Sequence, residues 1–371
     1  MEVLIIANIY LTSKSVVSSS IIPLLMSGTS FISTLLVPLV SKRFALNKIM
    51  LFSQASKTGL LLILTVALYL WPRLSLLGVC VLMILITLLD GFEGPVTAAM
   101  IVHYTTDLIK ANAISSVCFQ TIDILGWVYG GVLFSILGLY RSLLITIILF
   151  GIATWMTSLL PRVAFDELKN ETDRQTLIKG WKLLLKNPIL YTLVGIEFFE
   201  EFANLIWVST IILVFVSERL HESTRYWGYA NMTYSVGITL GGLLVFKISE
   251  KLLERKVYSM MTSLVLTASL ILVILVIPNS MAFLTCSVLI GIVSQLKEIP
   301  EITILQENIP ENQMVNISSA FEIISVIRFG MLLLVMSFIT QKFGITVSFL
   351  LATISLLIEA GLIFKYKKYF A

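Results

Sequence analysis

The chain has 371 residues, of which 57% are hydrophobic and 13% charged, and its mean hydropathy is +0.96. A soluble domain carries about 25% charged residues, so a water-soluble globular protein is excluded. The net charge of +4 says little as a total, and no nucleic-acid partner is expected.

Runs of about 20 apolar residues recur along the chain, and each can cross a hydrocarbon core about 30 Å thick. A membrane β-barrel would show short alternating segments instead. The first eleven residues, MEVLIIANIYL, are too short to span and read as the outer half of a helix whose beginning is missing. Eleven full spans are then expected: Ser15–Val40, Ile49–Trp71, Leu74–His103, Ala111–Leu137, Arg141–Leu160, Ile189–Val216, Ser223–Phe246, Val257–Ile277, Met281–Leu305, Val315–Ile339 and Thr346–Phe364. Lys and Arg concentrate in alternate loops, around Lys42–Lys48, Arg162–Lys186 and Lys247–Lys256, and at the C-terminus. By the positive-inside rule these are cytoplasmic, and so is the C-terminus. Cys80, Cys118 and Cys286 fall inside apolar runs without metal or redox spacing, as small packing residues do.

The polar stretch 161–188 divides the chain. It separates an N-terminal helical bundle, 1–160, from a C-terminal one, 189–371. Within it Leu177, Trp181 and Leu184/Leu185 recur at helical spacing beside Lys179, Lys182 and Lys186. An amphipathic helix on the inner surface and a plain linker helix both fit. The two halves share a pattern. EGPVT (Glu93–Thr97) precedes ANAISS (Ala111–Ser116), and EIPEIT (Glu298–Thr303) precedes VNISSA (Val315–Ala320). The basic hairpins SKRFALNKIM and SEKLLERKVY also correspond. Such repeats suit a two-bundle transporter.

These stretches, with GFEGPVTAAMIVHYTTDLIKANAIS, QENIPENQMVNISS and GWKLLLKNPIL, resemble the major facilitator superfamily. Within it the chain is most similar to macrolide-efflux-like drug:proton antiporters, over nearly its whole length. The resemblance implies an all-α membrane protein with the major facilitator fold, two six-helix bundles of which the first helix is incomplete. It implies proton-coupled efflux of a hydrophobic or cationic small molecule, with no cofactor beyond the proton gradient. It also implies a monomer in a bacterial cell membrane, with Arg43 and Lys48 in a cytoplasmic gate. The chain departs from the family pattern where Lys42 replaces an Asp, Ala45 a Gly and Leu46 a basic residue. Gly126, Gly130 and Gly131 are kept in the fifth helix, but Trp127 stands in place of a Pro.

A carboxylate at the bilayer centre costs about 2.5–3.5 kcal/mol on the insertion scale, so acids within spans must face a cavity, pair, or carry a proton. Thr87, Asp90, Glu93 and Thr97 share one helical face, as do Glu197, Glu200, Glu201 and Asn204. Ser294, Lys297, Glu298 and Glu301 form a third such stripe. Asp123, Glu322 and Arg328 complete the set, and the resemblance implies that these three stripes line a central cavity. In one reading the acids take up protons, and a cation competes for them. In the other they lock helices together: Asp123 or Glu322 with Arg328, Glu301 with Lys297, Asp90 with Lys57. Locking is favoured for Lys297, Glu301 and Arg328; the cavity role is favoured for Asp90, Glu93, Glu197 and Glu200, which outnumber the cations available. Glu307 and Glu359 are expected in solvent near the inner surface. The aromatics Phe198, Phe199, Phe202 and Trp207 can offer faces to a drug or cation, or pack against lipid and helices. Gly241–Gly242 is expected to allow close helix approach, and Pro95 and Pro300 to kink two helices symmetrically.

An importer or a lipid or peptide translocator of the same fold is the alternative, as is a truncated member that does not transport. An enzyme is excluded on motifs. No HExxH or nucleotide-binding pattern occurs, and His103 and His221 lie at opposite faces.

Overall fold

The computed structural model describes residues 16–71, 76–163, 172–223 and 225–370. The N-terminal stub, with Glu2, lies outside them, and so do the side chains of Trp127, Gly130 and Gly131. Among the described residues all regular structure is helical. The α-helices are α1 (Val16–Arg43), α2 (Leu46–Leu70), α3 (Leu76–Asp90), α4 (Glu93–Tyr104), α5 (Leu108–Ser158), α6 (Asp173–Lys186) and α7 (Pro188–Asn204). They continue with α8 (Ser209–Glu218), α9 (Arg225–Leu253), α10 (Lys256–Val276), α11 (Ser280–Glu307), α12 (Met314–Phe343), α13 (Ile345–Lys365) and α14 (Lys367–Phe370).

Among the described residues, 8 helices are long and apolar enough to cross a membrane, or 9 when α7 and α8, bent by 47° at a short break, count as one span. The two other expected spans coincide with α1 and α9, of 28 and 29 residues. At about 1.5 Å per residue, both exceed the hydrocarbon thickness.

Local sequence explains where the helices stop. Asn187 Oδ1 accepts from the Ile189 N–H at 2.9 Å, and Pro188 at the first helical position gives up no hydrogen bond. Asn279 caps α11 in the same way through Met281 and Ala282. At α6, Thr172 and Gln175 cap each other, side chain to backbone N–H in both directions. Within α5, Gly138 turns the chain at φ 72° and ψ 178°, and Gly344 does so before α13 at φ 85° and ψ 162°. Only glycine enters this region without strain. Each is followed four residues later by a buried serine, Ser142 and Ser348, a repeat of the two halves that lies outside the motifs read from sequence.

The two prolines are not equivalent. Gly91 and Phe92 interrupt the expected span Leu74–His103, and Pro95 falls in the first turn of α4, where a missing N–H costs no intrahelical hydrogen bond. Pro300 sits inside the unbroken α11. The expectation of matched mid-helix kinks therefore fails in the first half, because Gly91 has already broken the helix there. Cys118 is exposed, unlike the buried Cys80 and Cys286, so the packing role expected of all three fails for it.

The chain forms two compact units. Unit 1 holds Met1–Tyr104, Leu125–Leu183 and Pro310–Ile323; unit 2 holds Thr105–Ile124, Leu184–Ile309 and Ile324–Ala371. Unit 1 has an apolar core of Leu61, Leu64, Leu68, Met83, Ile86 and Leu143. In unit 2, Ile109, Ala113, Val245, Leu252 and Ile299 pack together. There α9 and α11 touch backbone to backbone. A Cβ on Gly241 would lie 2.6 Å from the Ile292 carbonyl oxygen, and Gly237 faces Gly291. Small residues at such crossings let dispersion contacts replace the hydrophobic force that lipid does not supply.

Candidate functional site

Each unit buries its own charged centre. In unit 1 the centre is Lys57, on α2, whose side chain is 4% exposed. Its ammonium donates to Asp90 Oδ1 at 2.8 Å and also to Glu93. The break at Gly91–Phe92 leaves Asp90 ending α3 and Glu93 opening α4, and Lys57 bridges the two. Both acids keep more than a third of their side chains exposed. Close by, Thr34 Oγ1 lies 3.3 Å from the Gly91 carbonyl and 3.5 Å from Glu322 Oε1. Glu322 also abuts Gly94, where a Cβ would approach its Oε2 to 3.0 Å. A carboxylate beside the first turn of α4 is favoured by the free N–H groups there.

In unit 2 the buried centre joins two cations and six carboxyl groups. Arg328, on α12, donates through Nη2 to Glu197 Oε2 at 2.9 Å and Glu201 Oε2 at 3.1 Å, and through Nη1 to the Val194 carbonyl at 3.3 Å. The four-residue spacing of Glu197 and Glu201 aims both at one guanidinium. Lys297, on α11 and 1% exposed, serves Glu200, Glu301 at 2.5 Å, and Glu359 Oε1 at 3.2 Å. The sixth, Glu298, accepts from Gln295 Nε2 at 2.6 Å, and Gln295 in turn accepts from Ser116 at 2.5 Å. Nearby, Asn112 donates to Thr303 at 3.1 Å and to Gln306 at 2.8 Å. This bond joins the Asn of the ANAISS segment to the Thr of EIPEIT.

The structure thus gathers most of the residues singled out from sequence and alters several pairings. Lys57–Asp90 and Lys297–Glu301 occur as expected ion pairs. Arg328 takes Glu197 and Glu201 rather than Asp123 or Glu322. Asp123 is exposed and belongs to none of these pairs. Asp90, Glu93, Glu197 and Glu200 each contact a cation, because one Lys or Arg is shared among two or three acids. Glu359 was expected in solvent and is instead fully buried. It lies within two turns of the C-terminal end of α13, but its helical face, with Ser348, Ala352 and Ser355, points into the unit. Polar and small residues at spacings of four, three and four are the signal that could have shown this. Glu307 is indeed partly exposed, and Lys256 pairs with it.

Elsewhere in unit 1, Lys42 and Arg43 converge on Asp173 of α6, at 2.9 and 3.1 Å. Lys42 thus finds its acid on the helix that opens at Asp173. These charges hold the Asp173 carboxyl below its usual range: first the Lys42 hydrogen bond and charge, then Arg43. Lys48 is exposed. The linker helix buries Thr176, Gly180 and Leu184, while Leu177 and Leu185 stay exposed and Trp181 is half-buried. Gly180 lies against the Asn316 carbonyl so closely that no Cβ would fit.

The aromatics divide. Trp207, at the α7–α8 break, stacks on Tyr234 at 6.2 Å and on Phe283 at 6.3 Å. Phe198 and Phe199 meet edge to face at 5.6 Å, and Phe198 is exposed.

A family model described as Major Facilitator Superfamily matches residues 2–331. An uncharacterised MFS-type transporter of Bacillus subtilis (strain 168), YfmI, is 26% identical over 362 residues, 96% of this chain and 89% of that one. The Escherichia coli fucose:proton symporter FucP is similar in structure, with a TM-score of 0.74 at 12% identity, covering 100% of this chain and 96% of that chain. The human organic anion transporter MFSD10 matches with a TM-score of 0.70 at 14% identity, covering 92% and 83%. Likeness at such low identity concerns the fold alone.

Proposed function

Since the chain belongs to the major facilitator superfamily, and is therefore a multi-pass secondary transporter rather than an enzyme, we propose that it exports a hydrophobic or cationic small molecule in exchange for protons. The observation that carries this reading is the surplus of carboxyl groups in unit 2, where five acids share Lys297 and Arg328 and a sixth, Glu298, accepts only from Gln295. Removing an uncompensated ion from water costs several kcal/mol, and like charges in one site do not all ionise. The surplus must be neutralised by a proton or by a cation from outside the protein. Both then compete for the same acids, and the binding of one releases the other. Efflux as the direction is supported by the resemblance to macrolide-efflux-like antiporters. The bacterial relative supports placement in a cell membrane, with the Lys/Arg-rich loops and the C-terminus inside. Transport would proceed by alternating access.

The test is reconstitution into proteoliposomes with an imposed pH gradient, followed by uptake of ethidium and of uncharged and anionic probes. Ethidium movement should follow the proton gradient and fall at least tenfold in Glu200→Gln and in Asp90→Asn. If both variants match the wild type at equal protein level, these acids do not couple. If no probe moves protons, the antiport reading is wrong.

A further inference from the structure

Glu359 is the one acid of the Lys297 group that no sequence stripe contains, and its surroundings set it apart. The side chains of the group grow more buried in order: Glu200 is 18% exposed, Glu301 10%, Lys297 1% and Glu359 0%. Glu359 makes the longest contact with the ammonium, 3.2 Å, against 2.5 Å for Glu301. Its Oε2 has no hydrogen-bond partner among the described residues. The titratable groups facing it are Lys297 and Glu301 from α11 and Glu200 from α7. The buried face of α10, which also packs on α13, is apolar apart from Ser263. A single ammonium can balance one carboxylate of the three. The acid with no exposed surface, no second partner among the described residues and the longest contact is the one least able to stay ionised while Glu200 and Glu301 hold the lysine.

We propose that Glu359 is a proton-carrying residue of the transport cycle, and that Lys297 links it to Glu200 by changing partners. With no substrate bound, Lys297 is held by Glu200, and Glu359 carries its proton on a carboxyl oxygen. A cationic substrate that pairs with the more exposed Glu200 frees the ammonium. Lys297 then turns to Glu359, the O–H bond breaks, and one proton leaves to solvent as the Lys297–Glu359 ion pair forms. One positive charge enters the unit and one leaves, so the buried charge is unchanged. When the substrate departs, Glu359 takes up a proton and Lys297 returns to Glu200. This scheme rests on the proton-coupled reading above, but its first half does not need a substrate.

Infrared difference spectroscopy of the full chain in lipid separates the two. The wild type should show carbonyl-stretch bands of protonated carboxyls at neutral pH without any substrate, one of them from Glu359. The Glu359 band should vanish in Glu359→Gln and move, rather than vanish, in Glu359→Asp. Gel filtration of each variant establishes that it is folded. Adding tetraphenylphosphonium should shrink the band in the wild type and release about one proton per protein into weakly buffered solution, as charge balance requires. In Glu200→Gln the probe should leave the band unaltered. A wild-type set of bands that persists entire in folded Glu359→Gln overturns the assignment, whatever the substrate. A band that is lost in Glu359→Gln but ignores every cation tested leaves the proton on Glu359 and overturns the partner exchange. Transport of ethidium uncoupled from protons in the wild type would instead overturn the exporter reading.

Discussion

Gly237 on α9 and Gly291 on α11 are in backbone contact: a Cβ on Gly291 would sit 2.9 Å from Gly237 Cα and 2.8 Å from the Ile238 nitrogen. Neither neighbour is a side-chain end that could swing away. Gly291→Ala must therefore part the helices, and overpacking of this kind costs about 1–3 kcal/mol. The melting temperature in detergent should fall, and Gly291→Val should fall further. Gly195, which has nothing within 4 Å of its Cβ position, is the control and should melt like the wild type as Gly195→Ala.

Arg328 holds Glu197 and Glu201 from a side chain only 8% exposed. Removing the guanidinium leaves two largely buried acids without a cation. Arg328→Met should lose about 3–5 kcal/mol, read as lower thermal stability and yield. Adding Glu197→Gln and Glu201→Gln to it should recover much of the loss. If the triple variant is no more stable than the single one, the cost lies in the packing of the arginine stem.

The Asp173 contacts give a pH dependence with a defined sign. The folded carboxyl lies below its ordinary value of 3.8 because of Lys42 and Arg43. A depressed acid contributes stability above its unfolded value, and the contribution disappears as pH falls through the folded value. Docking of α6 should thus be intact at neutral pH and be lost below 3.8. Asp173→Asn should show faster proteolysis of the linker at neutral pH, while Lys48→Ala should not. Hydrogen exchange of α6 in the wild type should rise toward that of the variant below the same pH.

Gly138 and Gly344 occupy backbone conformations that cost another residue about 1–3 kcal/mol. Nothing lies within 4 Å of either Cβ position, so strain is isolated from crowding. Gly138→Ala and Gly344→Ala should each lower stability by that amount, and D-alanine introduced at either site by semisynthesis should not.

Helical class and span positions were legible because burial in lipid demands long apolar runs, and every expected span has a helix under it. The Gly138 break coincides with the expected boundary between Leu137 and Arg141. Partners were less legible. Spacing along one helix finds Lys297–Glu301 and aligns Glu197 with Glu201, but it cannot say which other helix supplies Arg328. Sharing of one cation by several acids also escapes a count of charges, which is why Asp90, Glu93, Glu197 and Glu200 outnumber their cations when only the sequence is read. Glu359 was misplaced because depth in the span was weighed and helical face was not. Asp173 was passed over because a charged residue in a polar linker resembles any solvated one.

The exchange of short segments between units has a consequence for inheritance. Thr105–Ile124 comes from the first half of the chain yet counts with unit 2, and Pro310–Ile323 comes from the second half yet counts with unit 1. Two genes made by cutting within the linker would encode halves that each lack a piece of their own unit. A chimera that takes one linear half from a relative would inherit a foreign segment in both units at once. Hybrids joined at the borders of the units, carrying the borrowed segment with its host, are the ones that should retain their fold.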